Sequence, residues 1–346
     1  MSELNFNPDG VGIDTGTYFG MPFTPEEAAL VLISAPWDVT VSYGAGTSYA
    51  PDALIEASTQ LDFYDPAAPE AWRRGIATAD IDYSLQELSQ RLRVDARRVI
   101  EHLEQGGSTE DDYVVRKIRR VNDGSAELNA NIRAEASRWL AEGKLVGLVG
   151  GDHSTPYGLV QALAERHASF GILHIDAHCD LREAYEGFEF SHASIMYNLL
   201  RDVPEVERIV QVAVRDFSAE ERQTAERSGR VVQFDDHQLF TAAFAGETWA
   251  ATCDRIIDAL PQEVYVSFDI DGLDLPYCPH TGTPVPGGLS YNQAIYLLQR
   301  LGESGRRIIG FDVVEVAPRG EETTDAVVGA RILWKLCGQA LRSNEK

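Results

Sequence analysis

Six short apolar runs recur along the chain with helical patterns between them: Leu30 to Ser34, Leu145 to Val149, Gly171 to Ile175, Ile209 to Val214, Val264 to Phe268 and Ile308 to Val313. Runs of this length, apolar at nearly every position, read as strands buried on both faces, the condition of a parallel sheet covered by helices. The chain is therefore expected to be α/β, with ligand sites just outside the carboxyl ends of its strands. It has 346 residues and no internal repeat, low-complexity tract or Pro/Ser linker. Since the candidate strands span nearly the whole length, residues 1–346 read as a single domain.

Between Asp80 and Lys144 the pattern turns helical, with Leu85, Leu88, Leu92, Val99 and Leu103 spaced for one buried face. Ser84 to Glu87 resembles a capping box, and Gly106 with Gly107 stops that helix. Two further helical segments, Val114 to Ile118 and Leu128 to Leu140, are expected to be separated by the turn signal Asn122-Asp123-Gly124. A helical insertion near 82–142 is thus expected, its basic run Arg116 to Arg120 on a solvated face.

Composition narrows the function classes. The chain is 44% hydrophobic and 24% charged, and no apolar run approaches the ~20 residues needed to cross a bilayer. The N-terminal MSELNFNPDG lacks a secretory pattern and the C-terminal LRSNEK lacks a lipidation motif, so a cytoplasmic protein with no membrane partner is expected. Cys179, Cys253, Cys278 and Cys337 form no CxxC pair and are expected to be reduced. A formal net charge of -24 opposes nucleic-acid binding. That charge suits attraction of a cationic substrate and equally suits adaptation to high salt.

Four of the apolar runs end in or are followed by unusual clusters, Gly150-Gly151-Asp152-His153, then Asp176-Ala177-His178-Cys179-Asp180, then Asp269-Ile270-Asp271, then Asp312 to Glu315, and the first three could make one cage. In extended backbone alternate side chains share a face, so Asp176, His178 and Asp180 are expected to converge, as are Asp269 and Asp271, with His153 closing the cage. The same alternation aims the Cys179 thiol away. Taken singly, each cluster is as well explained by a solvated turn or a tight bend; placed together after strands, they define one site. Four carboxylates and two imidazoles carry too much negative charge to be buried unless cations neutralise it, and two divalent ions do so. Oxygen donors with a minority of nitrogen fit manganese or nickel better than a structural zinc site.

At these residues the sequence resembles the ureohydrolase superfamily of arginases, agmatinases, guanidinobutyrases, formiminoglutamases and guanidine hydrolases. The resemblance covers most of the chain. It is carried by GGDHS at Gly150 to Ser154, HIDAHCDLR at His174 to Arg182, SFDIDGLD at Ser267 to Asp274 and GFDVVEVAP at Gly310 to Pro318. Tyr185-Glu186-Gly187 leading to Ser191-His192-Ala193-Ser194, and Gly282-Thr283-Pro284 leading to Gly287-Gly288, resemble agmatinase-like members more than arginases. The resemblance implies a three-layer α/β/α sandwich with a mainly parallel sheet of about eight strands. It implies one ion held by His153, Asp176, Asp180 and Asp269, another by Asp176, His178, Asp269 and Asp271, and a homo-oligomeric assembly, trimer or hexamer, with a hetero-oligomer also open.

The implied reaction is hydrolysis of a guanidinium group with release of urea. A resonance-stabilised cation needs a strong nucleophile at neutral pH, which two divalent ions supply by lowering the pKa of a shared water. The departing amine must be protonated, and His192 is the expected donor, an imidazole titrating near neutrality in a Ser-His-Ala-Ser context. Glu315 is expected to pair bidentately with guanidinium. Asp180 counts in both the metal and the catalytic sets. His174 and Asp274 flank the ligands and are expected to orient them or carry protons; Arg215 and Asp216 are given no chemistry.

The loops that choose the substrate depart from the agmatinase pattern at Ser42 to Pro51 and at Cys278-Pro279-His280. That departure resembles the guanidine-hydrolase branch, which implies a free or small substituted guanidine and nickel, so agmatine and small guanidines stand side by side. Two alternatives remain at the level of sequence. One is a non-catalytic subunit of a hetero-oligomer, against which the intact ligand set argues. The other is a deacetylase of a related fold, which uses one zinc ion. A Ser-His-Asp hydrolase fits poorly, since no Gly-x-Ser-x-Gly elbow is present.

Overall fold

A computed structural model describes residues 6–345. All six apolar runs are strands, within a sheet of eight: β1 Leu30–Ala35, β2 Ile76–Thr78, β3 Leu145–Gly150, β4 Phe170–Ile175, β5 Val206–Val212, β6 Val231–Phe234, β7 Glu263–Asp269 and β8 Arg307–Val314. Their order is β2-β1-β3-β8-β7-β4-β5-β6, and every neighbouring pair is parallel. The two strands not anticipated are the edges. β2 has only three residues and β6 is partly exposed along most of its length, so neither shows the fully apolar signature of a buried strand.

Among the described residues there are ten α-helices. The first five are α1 Ala50–Ser58, α2 Tyr83–Glu104, α3 Asp112–Ala141, α4 Tyr157–Ala164 and α5 Ile195–Asp202. The others are α6 Ala219–Ser228, α7 Asp236–Phe244, α8 Trp249–Asp258, α9 Tyr291–Glu303 and α10 Thr324–Ser343. Period-two alternation along the strands divides the core in two. Leu30, Leu32, Val264 and Val266 pack with Leu54 of α1, Ile256 of α8, Leu297 of α9 and Leu333 of α10. Val31, Ile33 and Tyr265 pack with Leu92 of α2, Ile132 of α3, Leu159 of α4 and Leu199 of α5. Helices therefore cover both faces, giving the three layers. Full burial of each such side chain contributes about 1.5–3 kcal/mol relative to exposure.

Two local expectations are corrected. Asn122-Asp123-Gly124 is not a turn: α3 runs unbroken from Asp112 to Ala141. Gly124 is buried there, and a Cβ on it would lie 2.2 Å from a methyl of Leu92, so its smallness serves the close approach of α2 and α3. Second, α2 is capped by Asp82, whose side chain accepts from Ser84 N, in place of a box starting at Ser84. The basic run on α3 is not wholly solvated either, because Lys117 and Arg120 both pair with the buried Asp95 of α2.

All four cysteines are buried and unpaired. Among the described residues, no helix is long and apolar enough to cross a membrane. The central strands end together. Gly151 N donates to Ala35 O, Asp152 N to Trp37 O and Glu315 N to Gly151 O, so the exits of β1, β3 and β8 are laced side by side. The lacing requires glycine: a Cβ at residue 151 would stand 1.8 Å from Trp37 O. Gly151→Ala is expected to lower unfolding stability by at least about 1–3 kcal/mol, read as a lower midpoint in urea denaturation.

Candidate metal centre

The carboxyl ends of β3, β4 and β7 bring all six expected donors to one place, although not by strand alternation. β4 stops at Ile175, and Asp180 reaches the cluster through a left-handed backbone conformation at φ +53°. β7 stops at Asp269, whose side chain accepts from Asp271 N at 2.8 Å and starts the 3₁₀ turn Ile270–Gly272 that carries Asp271. Ala213, just beyond β5, and Glu315, just beyond β8, also have positive φ, +74° and +61°. Left-handed conformations cost a non-glycine residue about 1–2 kcal/mol each, and here they cluster around one end of the sheet. The Cys179 thiol does point away, accepting from Gln233 Nε2 at 3.2 Å.

His153 Nδ1 lies 2.9 Å from Asp176 Oδ2, 3.1 Å from Asp180 Oδ2 and 3.2 Å from Asp269 Oδ2. His178 Nδ1 lies 3.4 Å from Asp176 Oδ1 and 3.2 Å from Asp271 Oδ2. Asp176 thus belongs to both groups. His153 Nδ1 and Asp271 Oδ2 are buried, yet neither makes a hydrogen bond of acceptable geometry. Donors bound to one ion at about 2.0–2.2 Å stand about 3 Å from one another. These spacings, with the buried His153 Nδ1 and Asp271 Oδ2 left without a hydrogen bond, are those of ligands sharing a cation, so the residues present fit a metal centre.

The surroundings hold the donors in place. His153 Nε2 contacts Ser267 Oγ at 2.8 Å, and Ser267 Oγ donates to Asp312 Oδ1 at 3.2 Å. Ala177 N donates to Asp271 Oδ1 and His178 N to Asp176 Oδ1. Arg215 ties the neighbouring loops: its guanidinium donates to the carbonyls of Ala213, Asp271, Leu273, Val285 and Pro286. These bonds give it a structural role. His174 Nε2 sits 2.7 Å from Asp176 Oδ2. Ser267, Gln211 and Gln233 were not singled out as site residues from the sequence; the only sign of the two glutamines was an amide inside each of two apolar stretches.

The remaining expected site residues are near, with two differences. His192 lines a cavity of about 430 Å³ together with His178, Asp180, Arg182, Asp216 and Glu221. Its Nδ1 is 3.4 Å from both Thr40 Oγ1 and Ser191 Oγ. It does not titrate near neutrality: burial, reinforced by the positive His178 and Arg93, pushes its pKa down to about 3. Glu315 is buried, and its Oε1 accepts from His153 N at 2.9 Å, which leaves Oε2 without a partner. One of its two oxygens is therefore already engaged, against the expectation of a carboxylate open on both. His280, from the loop that departs from the agmatinase pattern, pairs with Asp325 at 2.8 Å at the start of α10.

Burial and the neighbouring carboxylates Asp271 and Asp176 push Asp269 well above the usual carboxylate range, and burial with Asp176 raises Asp180. Burial also carries Glu315 well up. Burial opposes charge on His153 and His178, but the surrounding aspartates outweigh it and hold both imidazoles well above their ordinary value. Burial works against Asp176 too, yet His174, His153 and His178 hold it well below. Without a cation, Asp269, Asp180, Glu315, His153 and His178 bind more protons folded than unfolded, so their contribution is present at low pH and lost as pH rises through the folded values. Asp176 acts oppositely, below about pH 4. Chelated protein is therefore expected to lose thermal stability as pH rises from about 5 to about 8, and added Mn²⁺ to raise the melting temperature most at the upper end. Differential scanning fluorimetry with and without chelator checks both.

Comparison with known proteins bears on this geometry. The sequence matches the family model described as Arginase family over residues 28–338. It is 32% identical over 305 residues to the N(1)-aminopropylagmatine ureohydrolase of Thermus thermophilus, covering 88% of each chain. It is 27% identical over 315 residues to the guanidinobutyrase of Pseudomonas aeruginosa, covering 88% of this chain and 84% of that relative. Among solved structures, the agmatine ureohydrolase of Thermoplasma volcanium superposes with a TM-score of 0.71 at 22% identity, covering 94% of each chain. That likeness establishes the common fold.

Proposed function

The chain belongs to the arginase family, and from that premise we propose that it hydrolyses a carbon–nitrogen bond of a small guanidinium compound and releases urea. The observation that carries the reading is the buried convergence of His153 Nδ1 on the carboxylates of Asp176, Asp180 and Asp269 with no hydrogen bond among them. His153, Asp176, Asp180 and Asp269 are assigned to one divalent ion and Asp176, His178, Asp269 and Asp271 to a second, manganese or nickel. When bound, the two ions would lower the pKa of water and so supply a nucleophile at neutral pH. The family match over residues 28–338 supports treating the chain as one catalytic unit.

The remaining chemistry is assigned to the chain's own residues. Glu315 accepts the guanidinium N–H groups at Oε2 while the His153 backbone fixes Oε1. His192, neutral before turnover, is assigned the proton given up by the attacking water. Nδ1 is taken up by the hydroxyls of Thr40 and Ser191, so Nε2 is assigned as the acceptor, and the same nitrogen passes the proton to the departing amine.

A cationic substrate fits the cavity wall, where Asp180, Asp216 and Glu221 outnumber Arg182, which itself contacts Glu221. The relatives' names share guanidinium chemistry and differ in the tail, one named for aminopropylagmatine and one for guanidinobutyrate. Agmatine and small guanidines are the substrates favoured here.

A urea-release assay across agmatine, aminopropylagmatine, guanidine, methylguanidine, guanidinobutyrate and arginine, each with Mn²⁺ or Ni²⁺, is expected to show turnover of at least one cationic guanidine. No turnover in any combination contradicts the reading. Asp269→Asn is expected to lose bound metal and urea production together. His192→Ala is expected to keep its metal while kcat falls by about 10²–10⁴; normal turnover by this variant removes His192 from proton transfer.

A further inference from the structure

Parallel register places five polar side chains side by side across the sheet beneath the metal centre: Asp312 of β8 beside Ser267 of β7, Ser267 beside His174 of β4, His174 beside Gln211 of β5, and Gln211 beside Gln233 of β6. His174 and Gln211 are fully buried. Amides in the interior of a sheet are retained only where their donors and acceptors are satisfied, and here the bonding pattern leaves one solution.

The carbonyl oxygen of Cys179 can only accept, so the Gln211 side-chain atom 2.7 Å from it is the amide nitrogen. The Gln211 oxygen in turn accepts from Gln233 Nε2 at 2.9 Å, and that nitrogen also donates to Cys179 Sγ. With the amide fixed this way, Gln211 Nε2 faces His174 Nδ1 at 3.0 Å as a donor. Nδ1 must therefore carry a lone pair, the imidazole hydrogen resides on Nε2, and Nε2–H donates to Asp176 Oδ2 at 2.7 Å.

We propose that Gln233 and Gln211 act as positioning residues that fix the Nε2–H tautomer of His174, and through it aim the carboxylate shared by both metal positions, Asp176. The same amide nitrogen grips the Cys179 carbonyl directly before Asp180, whose left-handed conformation is thereby held. One side chain on the strand next to the edge thus sets two of the ligand carboxylates. His174 comes within ligand distance of His153, Asp176 and Asp180, but with its hydrogen on Nε2 it has no lone pair to offer there. It is a hydrogen-bond donor to a ligand and not a ligand. Orienting partners of this kind commonly determine metal affinity.

The inference rests on the assignment of Asp176 as a ligand, and the test separates the two. Full-length protein carrying ¹⁵N-histidine and loaded with zinc, with the His174 resonances identified by their loss in His174→Gln, is expected to show a neutral ring protonated at Nε2 and bare at Nδ1. A hydrogen on Nδ1, or an imidazolium, overturns the proposal without any appeal to a variant's folding. Gln211→Met, which removes the donor at nearly equal volume, is expected to bind Mn²⁺ about 10- to 100-fold more weakly by chelator competition while keeping its circular dichroism. A folded Gln211→Met protein with unchanged Mn²⁺ affinity also overturns it. Failure of the unaltered protein to bind Mn²⁺ contradicts the metal-centre assignment, and the tautomer measured on that protein still decides the orientation of the row.

Discussion

Four aspartates buried within reach of one another are the constraint on which the rest of this structure depends. Asp176, Asp180, Asp269 and Asp271 are almost wholly excluded from water, where uncompensated negative charge costs several kcal/mol per ion even after relaxation. Two imidazoles offset part of it, and the unpartnered His153 Nδ1 and Asp271 Oδ2 mark where hydrogen bonding does not suffice. The parallel sheet makes the arrangement possible. Its central strands β3, β8, β7 and β4 lie side by side, with one donor following β3, three following β4 and two at the end of β7, while both faces are shut by helices. Glycine at 151 and positive φ at Asp180 and Glu315 let neighbouring backbones approach closely enough for the donors to meet.

Much of this was legible in the residues. Six apolar runs announced the sheet, and the clusters after three of them announced the centre, because buried strands and clustered carboxylates leave strong local signals. The edge strands Ile76–Thr78 and Val231–Phe234 left none, being short or half-exposed. Gly124 was misleading because an Asn-Asp-Gly sequence suits a turn, and only the packing of Leu92 against it shows why a glycine is needed inside a helix. The convergence of Asp180 and Asp271 was anticipated, but its cause was not: both lie beyond the strand ends, in conformations that period-two reasoning does not reach.

The electrostatics of His192 could not be read from its neighbours in sequence. A Ser-His-Ala-Ser segment says nothing of the burial that pushes the imidazole down to about 3. That shift changes its assigned part from a resident acid to a carrier that must first receive the proton it delivers. Gln211 and Gln233 were invisible for a related reason, since their significance is a matter of register between strands distant in sequence. The sequence-level features of the site are its donors; the features that position them belong to the tertiary structure.

The central claim is that this nest of carboxylates is held together by two divalent cations. Metal content per chain, measured by inductively coupled plasma mass spectrometry on protein reconstituted with Mn²⁺ or Ni²⁺ and freed of excess ion, tests it most directly when urea release is followed on the same samples. The account predicts that activity saturates at two ions per chain. Full activity at one ion, or with none, would contradict it.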